Sequence, residues 1–260
     1  MPYSFITSEV SGDVAVIRLN DEKTLNAISP VMGEELLDAL KQASATKRAI
    51  LLTGVGRAFC SGVNLGSLAY DFDKGYDAGI LLESHFNPLL IAMRELPIPL
   101  VSAVNGLAAG VGSTVALAGD FIIASQDAYF LQAFRRVGAV PDAGTAYLLT
   151  RAVGRVRAME MMLLGEKIPA DKALEWGLIN RVVPSDRVHD TALEIAQALA
   201  SGPTKVLGEI RRGCWHALEA SFAEQLEWDR VAQRELGQTA DHREAIAAYN
   251  EKRPASFTGG

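Results

Sequence analysis

The chain has 260 residues, 49% of them hydrophobic and 22% charged, and carries a formal net charge of −6, the profile of a globular protein large enough to bury a substantial core. The acidic balance disfavours broad binding to nucleic acid or to an anionic membrane surface, partners that call for a basic face. Only Cys60 and Cys214 are present, far apart and beside apolar neighbours, so neither a disulfide framework nor a thiolate metal pair is expected, and a reducing cytoplasm fits.

The first residues lack a basic region followed by an apolar core, and no apolar run reaches spanning length, so a soluble protein outside the membrane is expected. Residues Phe5 to Leu19 predict two strands around a turn at Ser11-Gly12-Asp13. Ser29 then has the character of an N-cap, with Pro30 at the first helical position and Met32, Leu36 and Leu40 on one face; Glu34, Glu35, Asp38 and Lys41 form the solvated side. Ala49 to Thr53 is a short apolar strand that runs into a glycine-rich loop, Gly54 to Leu65. Between Gly66 and Gly79 the residues become acidic and aromatic without a period, which predicts a mobile loop over a pocket.

Leu81 to Leu96 has a helical pattern that Pro88 must start, kink or interrupt. Leu100 to Val104 is the next strand, and Asn105 to Asp120 carries a second glycine-rich loop into a helix. Phe121 to Ala124 and Ala128 to Phe130 are extended; Gly144 to Arg151 and Arg155 to Leu164 are helical, the latter with a Met159, Met162, Leu163 stripe assigned to the core. Ile179 to Val183 is a last strand, and four helical segments follow: Thr191 to Leu199, Thr204 to Leu218, Phe222 to Leu236 and Asp241 to Tyr249. Strands alternating with long helices argue for an α/β architecture with crossover connections. The end, Ala255 to Gly260, has the composition of a loose tail.

Several chemistries find no support. Gly54-Val-Gly-Arg-Ala-Phe59 lacks the third glycine of a dinucleotide fingerprint, and no Gly-Lys-Ser/Thr follows either glycine loop. His85, His189, His216 and His242 are scattered without ligand spacing, so no metal is expected. A Gly-x-Ser-x-Gly elbow is missing. What remains is two strand-following loops rich in glycine and alanine. Small residues there could serve tight helix–sheet packing alone; two such loops facing each other would instead aim two backbone N–H groups at one oxygen, the geometry an enolate needs.

The stretches Arg57-Ala-Phe-Cys-Ser-Gly-Val-Asn-Leu65, Asn105-Gly-Leu-Ala-Ala-Gly-Val-Gly112 and Phe121-Ile-Ile-Ala124 resemble the crotonase (enoyl-CoA hydratase/isomerase) superfamily. Gly138-Ala-Val-Pro-Asp-Ala-Gly144, Gly154 to Glu160 and Ala173 to Val182 extend the likeness in the right order. The resemblance implies an α/β fold with a ββα spiral core over residues 1–195, carrying an acyl-CoA site, and a helical trimerisation region over 196–260. It implies an acyl-CoA thioester substrate, with coenzyme A as part of that substrate and no tightly bound cofactor, and a homotrimer or hexamer. It places the oxyanion N–H groups on Ser61 and Val111, and assigns Asn26, Ala27, Arg57, Gly62, Asn64, Leu65, Gly110, Thr114 and Phe134 to substrate binding.

Hydratases of the superfamily use two glutamates, and Thr114 and Phe134 stand at those positions, so neither offers a carboxylate. Asp142 is the remaining acid/base; Pro-Asp-x-Gly is also a common turn with a solvent-facing aspartate. A single carboxylate beside an enolate can take a proton from one carbon and return it to another, which is isomerisation. The chain is most similar to the ring-1,2-epoxyphenylacetyl-CoA isomerase branch, a part of phenylacetate breakdown, through Phe86-Asn-Pro88, Pro141-Asp142 and Ala240 to Ala245. It departs from that branch at Asn64 and at Gly144-Thr145. The alternatives are a hydratase in which Asp142 activates water, a dehalogenase, disfavoured by Phe134 and Asn87 where that family has tryptophan and histidine, and a non-catalytic acyl-CoA binder.

Overall fold

The computed structural model describes residues 3–68, 71, 73 and 75–260. Strands β1 (Ile6–Ser11) and β2 (Val14–Leu19) form an antiparallel hairpin that turns at Gly12 with φ 60°. Helix α1 (Pro30–Thr46) starts as its sequence predicts: the Ser29 hydroxyl accepts the Met32 N–H at 3.1 Å and Pro30 supplies a preset φ. Met32, Leu36 and Leu40 are buried. The opposite face is less idle than expected, because Glu35 accepts the Ser4 and Phe5 amides and Asp38 accepts the Tyr3 hydroxyl.

The chain then repeats one pattern. Three strands of a large sheet are each followed almost at once by a short strand of a second sheet. Thus β3 (Ala49–Gly54) leads to β4 (Ala58–Cys60), β5 (Leu100–Val104) to β6 (Leu107–Ala109), and β7 (Phe121–Ser125) to β8 (Tyr129–Leu131). Helices provide the returns: α2 (Gly79–Leu81) and α3 (Asn87–Arg94) before β5, then α4 (Val111–Leu117) before β7. Pro88 is accommodated by a π-turn over Leu82–Phe86, which widens the helix where the proline ring would meet a carbonyl of the preceding turn. Beyond β8 come α5 (Thr145–Leu164), β9 (Lys167–Pro169), α6 (Ala170–Glu175), β10 (Arg181–Val183) and helices α7 (Val188–Ala200), α8 (Thr204–Ala217), α9 (Phe222–Leu236) and α10 (Ala240–Glu251).

The large sheet has the order β1-β2-β3-β5-β7-β10, parallel from β2 onward, and the small one β4-β6-β8-β9, with β9 antiparallel. Central strands are buried on both faces, which is why β3 reads as an unbroken apolar run. Alternate residues go to opposite cores: Ile50 and Leu52 meet α1 and the small sheet, whereas Val16, Leu51 and Val101 meet Ala192 and Ala196 of α7. Truncating one of these leucines to alanine costs about 2–5 kcal/mol.

Helix α7, which runs across residues 195 and 196, packs on the large sheet through Ala192, Ala196 and Ala200. Three expectations are corrected. Met159 and Leu163 are exposed, because Gly154 with φ 76° kinks α5 and rotates Ala158 and Met161 inward instead. Strand β9 and helix α6 were not anticipated; both are too short for a period to show. Finally, residues 255–260 are not loose: Asp241 accepts the Thr258 and Gly259 amides at 2.8 Å each, and Arg48 donates to the Phe257 carbonyl. The loop expected over Gly66 to Gly79 includes Ala69, Tyr70, Phe72 and Lys74, which lie outside the described residues.

Candidate active site

The two glycine loops do face each other. Pairing of β4 with β6 brings them side by side, and each ends in a glycine with left-handed backbone, Gly62 at φ 107° and Gly110 at φ 50°. A β-carbon on Gly62 would stand 3.1 Å from the Ala109 carbonyl oxygen, and one on Gly110 would stand 4.0 Å from the Gly62 α-carbon. A side chain at Gly62 would therefore press on the second loop, whereas at Gly110 the positive φ, not space, is what disfavours a β-carbon.

The residue after each glycine presents a free amide. Val111 opens α4, so its N–H has no intrahelical acceptor. Val63 bridges Ile28 in parallel: the Ile28 amide donates to the Gly62 carbonyl at 2.7 Å and the Asn64 amide to the Ile28 carbonyl at 2.9 Å. The Val63 N–H consequently projects from the edge opposite Ile28 and has no acceptor among the described residues. Ser61 does not fill the role expected of it. Its amide donates to the Leu25 carbonyl at 3.0 Å and its hydroxyl to the Thr24 carbonyl at 2.8 Å. The donor on this loop is displaced by two residues because Leu25, at φ 58°, turns its carbonyl onto the loop.

Phe134 is buried with its ring tip 3.8 Å from where a Gly110 β-carbon would be, so it closes the space over that glycine. Thr114, one turn into α4, is buried and its hydroxyl lies 2.6 Å from the Thr145 hydroxyl. That bond docks the start of α5 on α4 and brings the preceding turn with it, since the Thr145 amide donates to the Asp142 carbonyl at 2.9 Å. Ala143 at φ 49° and Gly144 at φ 80° reverse the chain there.

Asp142 is half-buried, and its Oδ1 is buried without any hydrogen-bond partner. Loss of water around the carboxylate pushes its pKa up to about 6, only partly opposed by its own backbone N–H. Cys60 lies fully buried under the first loop, and burial pushes its thiol up to about 12, which removes it from nucleophilic chemistry.

The remaining expected contacts separate into two kinds. Asn26 is buried and fully used: its amide donates to the Val55 and Ala58 carbonyls at 2.9 Å each, and its oxygen accepts the Asp21 N–H at 2.9 Å. It secures the loop rather than offering a free side chain, and Ala27 is likewise buried beside it. Arg57, by contrast, is exposed and has no ion-pair partner among the described residues. Asn64 and Leu65 begin the short turn over Leu65–Ser67, Leu65 being 48% exposed. Val63 and Thr145 escaped sequence reasoning as site residues, although each follows a glycine whose conformation only the fold reveals.

Among the described residues, no three His, Cys, Asp or Glu side chains cluster as a metal set, and no helix is long and apolar enough to cross a membrane.

A spiral of paired strands holding two abutting glycine turns is the arrangement of a crotonase-type fold. The enoyl-CoA hydratase/isomerase family matches residues 9–260. The 1,2-epoxyphenylacetyl-CoA isomerase of Escherichia coli K12 is 41% identical over 258 residues, covering 98% of each chain. A probable enoyl-CoA hydratase of Rhodobacter capsulatus is 44% identical over 260 residues and covers all of both. The crystal structure of an enoyl-CoA hydratase from Bacillus anthracis superposes with a TM-score of 0.91 at 29% identity, covering 99% of this chain and 100% of that one. The chain belongs to the enoyl-CoA hydratase/isomerase family, whose members are enzymes.

Proposed function

We propose that the protein is an acyl-CoA isomerase that moves a double bond, or rearranges a ring epoxide, through a thioester enolate. The thioester oxygen is held between the Val63 and Val111 amides. Asp142 removes a proton from the α carbon, the C–H electron pair moves through the carbonyl to the oxygen, and the same carboxyl returns the proton to the γ carbon as the electrons flow back. Each amide donor is worth about 2.7–4 kcal/mol to such a step.

The observation that carries this reading is Asp142: a half-buried carboxylate with an unpartnered oxygen, in a turn docked on α4, while Thr114 and Phe134 supply no second carboxyl group. A pKa near 6 suits a base working around neutral pH. Similarity to the E. coli isomerase and to the R. capsulatus probable hydratase supports the family alike, and hydration with Asp142 activating water stands as the second reading.

Incubating a 3-enoyl-CoA in deuterated water and following the label by mass spectrometry tests the first reading. Wild type incorporates deuterium and shifts the double bond, whereas Asp142→Asn does neither yet still binds the thioester. Conversion of a 2-enoyl-CoA to a saturated hydroxyacyl-CoA one water heavier, with the double bond of the 3-enoyl-CoA left unmoved, overturns isomerisation in favour of hydration.

Arg57, exposed and unpaired at the mouth of the first loop, belongs to the nucleotide end of coenzyme A in this scheme. Assembly into trimers or hexamers completes it. Helix α9 buries none of its residues within the chain, and Val156, Phe222 and Tyr249 are 73%, 80% and 82% exposed. A monomer in light scattering at micromolar concentration overturns that assembly.

A further inference from the structure

Phe134 stands where the two glycine turns meet. Its ring tip is 3.8 Å from the place a Gly110 β-carbon would take, and that place is 4.0 Å from the Gly62 α-carbon. The residue is buried, and its neighbours on both sides are tied down. Gln132, also buried, donates through Nε2 to the Ser113 hydroxyl of α4 at 3.0 Å. Arg135 donates to the Leu163 carbonyl and Arg136 to the Gly165 carbonyl at 2.7 Å each, which fastens the segment to the end of α5. The Ala139 amide then closes a turn on the Phe134 carbonyl at 3.1 Å, and the chain runs on to Asp142. One short segment thus carries a fixed ring at its start and the carboxylate at its end.

From this arrangement we infer that Phe134 sets the choice between isomerisation and hydration: its ring takes the place of a water beside the glycine turns, so an unsaturated thioester held there meets an acid/base group and no second reactant. The inference rests on the isomerase reading above and adds a specificity-determining residue to it.

The two reactions share an enolate and differ in what reaches the β carbon. In hydration a carboxylate takes a proton from water, the water oxygen bonds to the β carbon, and the α carbon receives a proton as the electrons return from the thioester oxygen. In isomerisation the carboxyl carries a proton from the α to the γ carbon, and no C–O bond forms. A water occupies about 30 Å³ and is held by two to four polar partners. A phenyl ring in carbon contact with a glycine turn supplies neither room nor partners, and the backbone that carries it is tied to α4 and α5. Filling the site in this way suppresses side reactions with water. Asp142 is only half-buried, so its own proton still exchanges with solvent.

Two initial rates on each enzyme test this role. One is conversion of hex-3-enoyl-CoA to hex-2-enoyl-CoA, followed by the absorbance of the conjugated thioester. The other is conversion of hex-2-enoyl-CoA in heavy-oxygen water to labelled 3-hydroxyhexanoyl-CoA, followed by mass spectrometry. Phe134→Ala should raise the ratio of hydration to isomerisation at least about tenfold, and Phe134→Leu, which keeps more apolar bulk, should raise it less. A smaller folded fraction lowers both rates alike and leaves the ratio unmoved, and Phe134→Val takes the place of the alanine variant if that one does not fold. A ratio in the truncated variants equal to that of an isomerising wild type overturns the role of Phe134 and leaves the isomerase reading standing. Wild-type hydration that outruns isomerisation sinks the isomerase reading itself and the inference with it.

Discussion

Gly62 and Gly110 lie against each other: a β-carbon on Gly110 would sit 4.0 Å from the Gly62 α-carbon, and both residues have positive φ. The contact holds the two turns against each other and brings Val63 and Val111, the residues that follow, onto neighbouring segments. Gly110, at φ 50° and ψ −128°, is in a region that residues with a β-carbon avoid.

Gly62→Ala and Gly110→Ala should each lower kcat about 10- to 1,000-fold with a much smaller change in KM, since the donors act on charge that develops in the transition state. The double variant should fall well short of the product of the two single losses, because both substitutions strain the same pair of touching turns. Additive losses in steady-state kinetics would show that the amides act independently. Ser61→Ala, which leaves the amide bonded to Leu25, should retain most of the activity.

The pH profile should show an acid limb near 6, with kcat/KM falling as Asp142 takes up a proton below its pKa of about 6. A limb at the ordinary aspartate position, near about 4, would mean that the group works in water rather than at the half-buried site.

The same shift has a cost in stability with a definite sign. The folded pKa of about 6 is raised above an unfolded value near 3.9, so the folded state binds the proton more tightly. This group therefore opposes folding increasingly as pH rises from roughly 4 to 6, and the full penalty persists at pH 7. Asp142→Asn should raise the unfolding free energy at pH 7 by about 1–2 kcal/mol after allowance for partial solvent screening, and by nearly nothing at pH 4. Denaturant titration at the two pH values checks the difference.

Thr114→Val should destabilise the protein by about 1–3 kcal/mol, because the Thr145 hydroxyl is left buried without its partner at 2.6 Å. Replacing both threonines with valine should restore much of that loss. Activity should follow the docking of the Asp142 turn rather than stability, so the double variant should fold well and still turn over slowly.

Arg57→Ala should raise KM without lowering kcat, and the effect should shrink as salt is added, as expected for an exposed guanidinium facing the phosphates of coenzyme A. A KM effect independent of ionic strength would place Arg57 elsewhere.

Much of the architecture was legible from local pattern. The hairpin at Gly12, the Ser29-Pro30 helix start, the apolar strands and the helical tail follow from turn residues, capping and periodicity, which act over a few positions. The turn around Asp142 was legible from its proline and glycine, but the same residues suit a solvent-facing aspartate, and its half-burial came from the fold. What escaped were features set between distant segments: the exposure of Met159, which a kink at Gly154 decides, and the anchoring of residues 258–259 by Asp241.

The sequence by itself determined the residue types on offer: two glycine-rich loops, an aspartate in the turn at 142, and no carboxylate at Thr114 or Phe134. Only the tertiary structure decided which amides are free. Leu25 and Ile28 take up the hydrogen bonds around Ser61 and Asn64 and leave Val63 unclaimed. Hydrogen bonds between segments far apart in the chain select the donor, and no local pattern of residues encodes that selection.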